Sequence, residues 1–190
     1  DPYHASMLQR WDRGAWRNFD GLLEGTALVW PFAAILWCAL RLRALHEHPE
    51  AFTSDWEDAS ARPPEESRQR LASEQVRFWG AFDDGGAMVG MVGLECALRA
   101  KERHKGVVVA MYVAREAAGH GLGRELLQAL VAHATAIGLK DLVLTVTEGN
   151  APAIHLYREA GFTAFGTQPR AIVVNGRAYA KVHMHLGLAP

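Results

Sequence analysis

Gly119, Gly121 and Gly123 stand between an apolar run and a long amphipathic one, where a chain can turn from a strand into a helix. Backbone amides in the first turn of a helix lack internal partners and sit at the positive end of the helix dipole. Glycines there let an anion approach the main chain, so the segment is a candidate cradle for a phosphate or pyrophosphate. The dinucleotide fingerprint needs a further glycine at position 124, which is Arg124, and a P-loop needs Gly-Lys-Ser/Thr, which is absent. A tight turn with no ligand would carry the same glycines. A second group follows: Asn150, Ala153, Leu156, Tyr157, Gly161 and Phe162, spaced so that Ala153 and Tyr157 lie one helical turn apart on one face.

Both groups need elements to hold them. Residues 107–113 (VVVAMYV) are a continuous apolar run, expected as a strand buried on both faces. Leu122, Leu126, Leu127, Leu130, Val131, Ala134 and Ile137 form one helical stripe that Gly138 ends, and residues 142–147 read as a second buried strand, giving a β-α-β unit. Asn150 caps a short helix with Pro152 in its first turn and Gly161 at its end. Upstream, residues 76–82 and 87–95 form a hairpin around Asp83-Asp84-Gly85-Gly86; downstream, residues 162–168 and 172–174 turn at Asn175-Gly176 into a last strand over 177–186. Ahead of these lie a helix over 31–46, a polar loop over 47–62 and a short helix from Pro63 to Leu71. Residues 1–26 read as an appended arm whose Met7, Leu8, Trp11, Trp16, Phe19, Leu22 and Leu23 have near-helical spacing, interrupted by Gly14 and Gly21. The expected division is an extension over 1–26 and one domain over 27–190.

Composition narrows the function classes. With 20 Lys plus Arg against 21 Asp plus Glu in 190 residues, and a net charge of -1, the chain lacks the basic excess that phosphate-backbone binding requires, so no nucleic-acid partner is expected. An apolar fraction of 49% with 22% charged residues is that of a packed globular domain. The longest apolar run, residues 27–40, contains Pro31 and falls short of the roughly 20 residues that span a membrane, so it is read as a core segment with no membrane partner. Cys38 and Cys96 have no metal-ligand or framework spacing, which leaves no expected metal and makes the cytoplasm the simplest compartment.

Met111-Tyr112-Val113, then Ala118-Gly119-His120-Gly121-Leu122-Gly123, then residues 150–162 (NAPAIHLYREAGF), resemble the GNAT superfamily of N-acetyltransferases. The likeness covers roughly residues 30–188, includes RLRALHEHPEAF at 41–52, and is strongest over 107–162. It implies a single α/β (α+β) domain with a mixed, mostly antiparallel sheet flanked by helices. Its two central strands splay into a V that receives the pantetheine arm of acetyl-CoA. It further implies that the backbones of Met111 and Val113 bond the pantetheine amides and that the amides of residues 119–124 cradle the pyrophosphate. The Val113 N–H would be the oxyanion donor. The implied cofactor contacts are Met111, Tyr112, Val113, Gly119, His120, Gly121, Leu122, Gly123, Arg124, Asn150, Ala153 and Tyr157. The family usually carries Arg or Gln where this chain has Ala118, and Arg115, His120 or Arg124 are the candidates to supply the missing charge.

The implied activity is acetyl transfer from acetyl-CoA to a primary amine of a small molecule or peptide, by direct attack in a ternary complex. The alternatives are an acyl-CoA sensor of the same fold without turnover, and a nucleotide-binding β-α-β protein. A lysyl amine has a pKa of about 10.4 and an α-amine about 7.7 to 8, so the attacking nitrogen needs a base. The departing thiolate needs an acid, and Tyr157 matches the family's phenol. No carboxylate occurs in residues 105–113, so the base candidates are Glu95, through water, and His183. His183 and His185 could also form a metal pair, but no third ligand is evident. The acids of residues 47–66 (Glu47, Glu50, Asp55, Glu57, Asp58, Glu65, Glu66) are expected to rim the acceptor side and attract a cationic amine. The aromatic arm could pack on a second subunit, as in a homodimer, or fold back on its own chain.

Overall fold

Six strands form the sheet that carries the candidate site, and a two-stranded hairpin precedes it. The computed structural model describes residues 9–12, 15–18, 29–71, 73 and 75–188. In chain order the elements are β1 (Gln9–Asp12), β2 (Ala15–Asn18), α1 (Val29–Glu47), a 3-10 turn (Pro49–Ala51), α2 (Trp56–Ala61), α3 (Pro64–Leu71), β3 (Val76–Phe82) and β4 (Met88–Cys96). There follow β5 (Lys105–Val113), a second 3-10 turn (Arg115–Ala117), α4 (Leu122–Ala136), β6 (Asp141–Thr147), α5 (Ala151–Glu159), β7 (Thr163–Val174) and β8 (Arg177–Gly187).

The sheet order is β3-β4-β5-β6-β8-β7, and β5–β6 is its one parallel pair. This is the mixed, mostly antiparallel sheet expected from the sequence. Gly90 and Gly93 lie three residues apart on β4 and so face opposite sides. A Cβ at Gly90 would meet Leu126 and Leu122 of α4, whereas one at Gly93 would meet Phe78, whose ring packs 4.9 Å from Trp37 of α1. Helices α1 and α4 therefore cover opposite faces. Leu122, Leu126, Leu127, Leu130 and Ala134 are all buried, and each leucine withdrawn from water contributes about 1.5–3 kcal/mol. Gly138, at φ +81°, stops that helix as the sequence predicts.

Several expectations change. The arm expected over residues 1–26 contains a β-hairpin with Trp11 opposite Trp16, strand geometry that suits tryptophan better than a helical face; residues 1–8, 13–14 and 19–28 lie outside the described residues. The loop expected over 47–62 includes a 3-10 turn and α2, whose N-cap Asp55 accepts a hydrogen bond from the Asp58 amide at 3.2 Å. β5 is not buried on both faces: Val107 is 38% exposed and Val109 to Met111 are half-buried, because a cavity opens beside them.

A buried lysine fastens the 3-10 turn to the sheet. Lys181 of β8 donates to Thr147 Oγ1 at 2.7 Å, to Ala51 O at 2.8 Å and to Glu50 O at 3.4 Å, while Thr147 donates to Glu50 O at 2.6 Å. Three donors meet three acceptors, which allows an ammonium in the interior, although burial still pulls its pKa down.

A Cβ built at Gly93 would lie 2.7 Å from Phe78 Cε1 and 2.9 Å from Val109 Cγ2. Gly93→Ala is expected to destabilise the protein by about 1–3 kcal/mol, read as a lower urea midpoint with unchanged m. An unshifted midpoint would mean that Phe78 of β3 and Val109 of β5 close over Gly93 less tightly than described.

Candidate active site

The central strands part after three residues. β5 and β6 pair at Lys105↔Asp141, Gly106↔Leu142 and Val107↔Val143, and nowhere beyond. On its other edge β5 pairs with β4, but the register jumps between Gly93↔Val109 and Met91↔Tyr112, so that Ala110 and Met111 stand opposite Val92 alone. This is a β-bulge, and Ala110 enters it at φ +54°, a left-handed conformation that costs a non-glycine residue on the order of 1–3 kcal/mol. A bulge bends its strand and increases the local twist, and here β6 does not follow. The Ala114 N–H donates to Val89 O at 2.8 Å, so by the alternation of an antiparallel ladder the N–H and C=O of Val113 face away from β4, into the gap.

A cavity of about 870 Å³ opens along this gap, walled by Val107 to Met111 of β5 and Val143 to Thr145 of β6 and roofed by α1 to α3. Tyr157 and His183 line it as well. Tyr157 comes from α5, which Asn150 starts by accepting the Ala153 amide at 3.3 Å. Its ring stands edge-on to Phe162 at 5.9 Å and is 6% exposed; burial raises its pKa well above the ordinary phenol value.

The second feature is the mouth of α4. Gly119 and Gly121 both have φ near +80°, and a Cβ at either would meet nothing within 4 Å, so left-handed backbone, not crowding, selects glycine there. The first helical bond runs from the Glu125 amide to Gly121 O at 3.1 Å, which leaves the amides of Leu122, Gly123 and Arg124 without helical partners. Gly123 has a different reason: its Cβ would approach Leu156 of α5 to 3.3 Å, so it lets the two helices close up. Arg124 is already engaged, with Nη2 at 2.6 Å from Glu159 on α5, whereas Arg115 and His120 are exposed beside the mouth.

Behind the mouth lies a charge network. Tyr112 donates to Glu47 at 2.6 Å, and Arg43 bonds Glu47 at 2.8 Å and forks onto Glu116 at 2.6 and 2.8 Å. The Arg43 fork brings the Glu116 carboxyl down to about 2, and the Tyr112 hydroxyl, then Arg43, lower that of Glu47. The network ties the end of α1 to the end of β5 and the turn before the glycines. Tyr112 therefore has its side chain committed to this tether, leaving its backbone as the part available to a ligand.

The base candidates separate. Glu95 is not among the residues lining the cavity; it is half-exposed at the end of β4, 3.7 Å from Arg70. His183 lines the cavity, with its ring 5.8 Å from that of Phe165. His185 is bonded to Asp141 at 2.7 Å, and no cluster of three potential metal ligands occurs among the described residues. Of the seven acids in residues 47–66 only Glu66 lines the cavity; Asp55 caps α2, and Glu47 belongs to the Tyr112 network. The wall instead carries Arg41, Arg62 and Arg70, which sequence reasoning missed. A signal was present, since Arg41 continues the helical face begun by Ala34 and Trp37.

The sheet's one parallel pair thus diverges into a cleft beside a glycine-rich helix mouth with unpaired amides. The model of the Acetyltransferase (GNAT) family matches residues 41–162, and the chain belongs to that family. It is 40% identical over 81 residues to L-methionine sulfoximine/L-methionine sulfone acetyltransferase of Pseudomonas paraeruginosa, covering 43% of this chain and 47% of the relative. It is 33% identical over 129 residues to mycothiol acetyltransferase of Thermobispora bispora, covering 67% of this chain and 42% of the relative. The chain thus spans less than half the length of either curated relative. A solved GNAT-family acetyltransferase from Streptococcus pneumoniae superposes with a TM-score of 0.74 at 26% identity, over 83% of this chain and 95% of that one. Among the described residues no helix is long and apolar enough to cross a membrane.

If the open mouth of α4 binds the anionic end of a ligand, Gly121→Val is expected to raise the KM for acetyl-CoA about tenfold or more, through backbone strain and blocked approach, with kcat at saturation much less affected. A normal KM in a folded Gly121→Val protein would remove the helix mouth from the site.

Proposed function

We propose that the protein is an N-acetyltransferase that passes the acetyl group of acetyl-CoA directly to a primary amine of a small molecule or peptide, with both substrates bound. The observation that carries this reading is the parting of β5 from β6 after Val107, which leaves strand-edge groups of β5 without a partner on β6, where an extended amide-bearing arm could pair with them. The names of the relatives, each an acetyltransferase of a small molecule, support it. A cytoplasmic setting fits the two free thiols, Cys38 and Cys96.

In this reading the backbones of Met111, Tyr112 and Val113 hold the pantetheine as a false strand, with Asn150 and Ala153 beside it at the start of α5. The amides of Gly119, His120, Gly121, Leu122, Gly123 and Arg124 receive the pyrophosphate. A phosphate neutralised by main-chain N–H groups and the helix dipole needs less from side chains, which makes Ala118 tolerable. The Val113 N–H, turned into the gap, donates to the thioester oxygen as it gains charge.

The amine nitrogen attacks the thioester carbon, the C–S bond breaks, and the electron pair leaves on sulfur. Tyr157 donates its O–H to that sulfur. A free thiol has a pKa near 8.5 and this phenol lies well above 10, so the proton stays mostly on oxygen and the gain is a strong hydrogen bond to the developing thiolate. The amine proton goes to His183 on the cavity wall, and Glu95, outside the cavity lining, could take part only through water.

Thiol release from acetyl-CoA across an amine panel is the direct test. Tyr157→Phe is expected to lower kcat by about 10²-fold while the KM for acetyl-CoA moves little. Because the phenol titrates above its ordinary range, kcat should show no Tyr157-dependent fall between about pH 8 and pH 10. Unchanged kcat in Tyr157→Phe would remove the hydrogen bond from Tyr157 to the leaving sulfur. A greater loss in Glu95→Gln than in His183→Gln would return the base to Glu95.

A further inference from the structure

Arg41 is an uncompensated cation in the cavity wall. It projects from α1 between residues that otherwise line the cavity with carbon, its guanidinium stacks 4.5 Å over the Phe52 ring, and its Nη1 is buried with no hydrogen-bond partner among the described residues. The side-chain charges acting on it are those of Arg70 and Arg62, both positive and both on the same wall. Burial first, then these two neighbours, bring its pKa down to about 10, so it remains charged at neutral pH.

A buried N–H with no acceptor is costly, and a buried cation among cations more so, unless an anion completes the arrangement. The other charged groups nearby do not supply one. Arg70 has Glu95 at 3.7 Å, outside the cavity lining, and Glu66 is the only carboxylate on the wall. Lys105 is paired with Glu102 at 3.0 Å, and Lys181 is satisfied by Thr147 and main-chain oxygens. The remaining lining joins apolar side chains, among them Trp37, Phe78, Leu144 and Phe165, to uncharged hydroxyls such as Ser60 and Thr145 and to His183, and holds no further carboxylate.

We infer that Arg41, assisted by Arg62 and Arg70, is the specificity determinant for an acceptor that carries a small oxyanion, foremost a carboxylate, on the same molecule as the amine and joined to it through an apolar body. This rests on the transferase reading above and narrows it, reversing the cationic acceptor expected from the acidic loop. A planar fork with a free N–H matches a carboxylate geometrically, and a charge-assisted bond made away from bulk water discriminates strongly against the neutral analogue.

The test compares L-phenylalanine and L-methionine with their carboxamides, in wild type, Arg41→Gln and Arg62→Gln. An amino acid amide has the more readily deprotonated amine, so intrinsic reactivity favours the amide and any preference for the acid comes from the site. The expected result is a kcat/KM at least about tenfold higher for the acids in wild type. That preference should collapse in Arg41→Gln and weaken in Arg62→Gln, whose exposed side chain is removed without disturbing the core. The KM for acetyl-CoA should be unchanged in both. Equal rates on acid and amide, or a preference that survives both substitutions, would overturn the inference, as would a raised KM for acetyl-CoA in Arg41→Gln, which would mean that Arg41 serves the donor. Calorimetric titration of each acid and amide into the CoA-bound protein separates the two readings. If no amine is acetylated, the transferase reading fails, and tighter binding of the acids than of the amides, abolished in Arg41→Gln, still sustains the anion site; equal binding sinks it.

Discussion

Two neighbouring strands that do not pair create an edge inside a sheet, where unsatisfied main-chain groups are costly. β5 and β6 separate after Val107 and Val143, and the cause lies on the other side of β5. The extra residue opposite Val92, with Ala110 in left-handed backbone, bends β5 away while β6 stays with β8 over its full length, from Asp141↔Gly187 to Thr147↔Lys181. The bulge is held by its surroundings: Gly93 lets Phe78 and Val109 close in beneath it, and Tyr112 just beyond it is anchored to Glu47. Local strain in β5 thus maintains the opening that the proposed chemistry uses.

Everything else in the site borders that opening. The turn after β5 delivers Gly119 and Gly121 to the mouth of α4, and Gly123 lets α5 approach so that Tyr157 reaches the cavity. The Lys181 clamp holds the 3-10 turn against β6 and β8, which keeps Phe52 in place under Arg41. The Val113 main chain and the glycine-rich mouth of α4 thus gather at the C-terminal end of β5, and Arg41, Arg62 and Arg70 line the cavity from the roof side.

Much of this was legible in the sequence where local rules act alone. The α4 stripe from Leu122 to Ala134, the Asn150 cap, the Asn175-Gly176 turn and the glycine spacing are short-range patterns, and each appears where expected, whereas Ile137, counted in the stripe, falls at the helix C-cap and is exposed. The splay itself was available only through resemblance, because a bulge with alanine at positive φ leaves no compositional mark. β5 read as buried on both faces since VVVAMYV cannot reveal that one face opens on a cavity. The acidic loop misled for a related reason: charge counted along a chain does not say which side of it faces the site. Asp55 is used as a cap and Glu47 as a tether, while Arg41, on the same helix as Arg43 and Glu47, faces the cavity.

The most direct measurement is a crystal structure of the protein with CoA or acetyl-CoA bound. The account requires the pantetheine arm to lie between β5 and β6 with a main-chain hydrogen bond to Val113, and the pyrophosphate to sit on the amides of residues 119–124. Strands that close on each other beyond Val107 and Val143, or a ligand bound elsewhere with the α4 mouth bare, would contradict it.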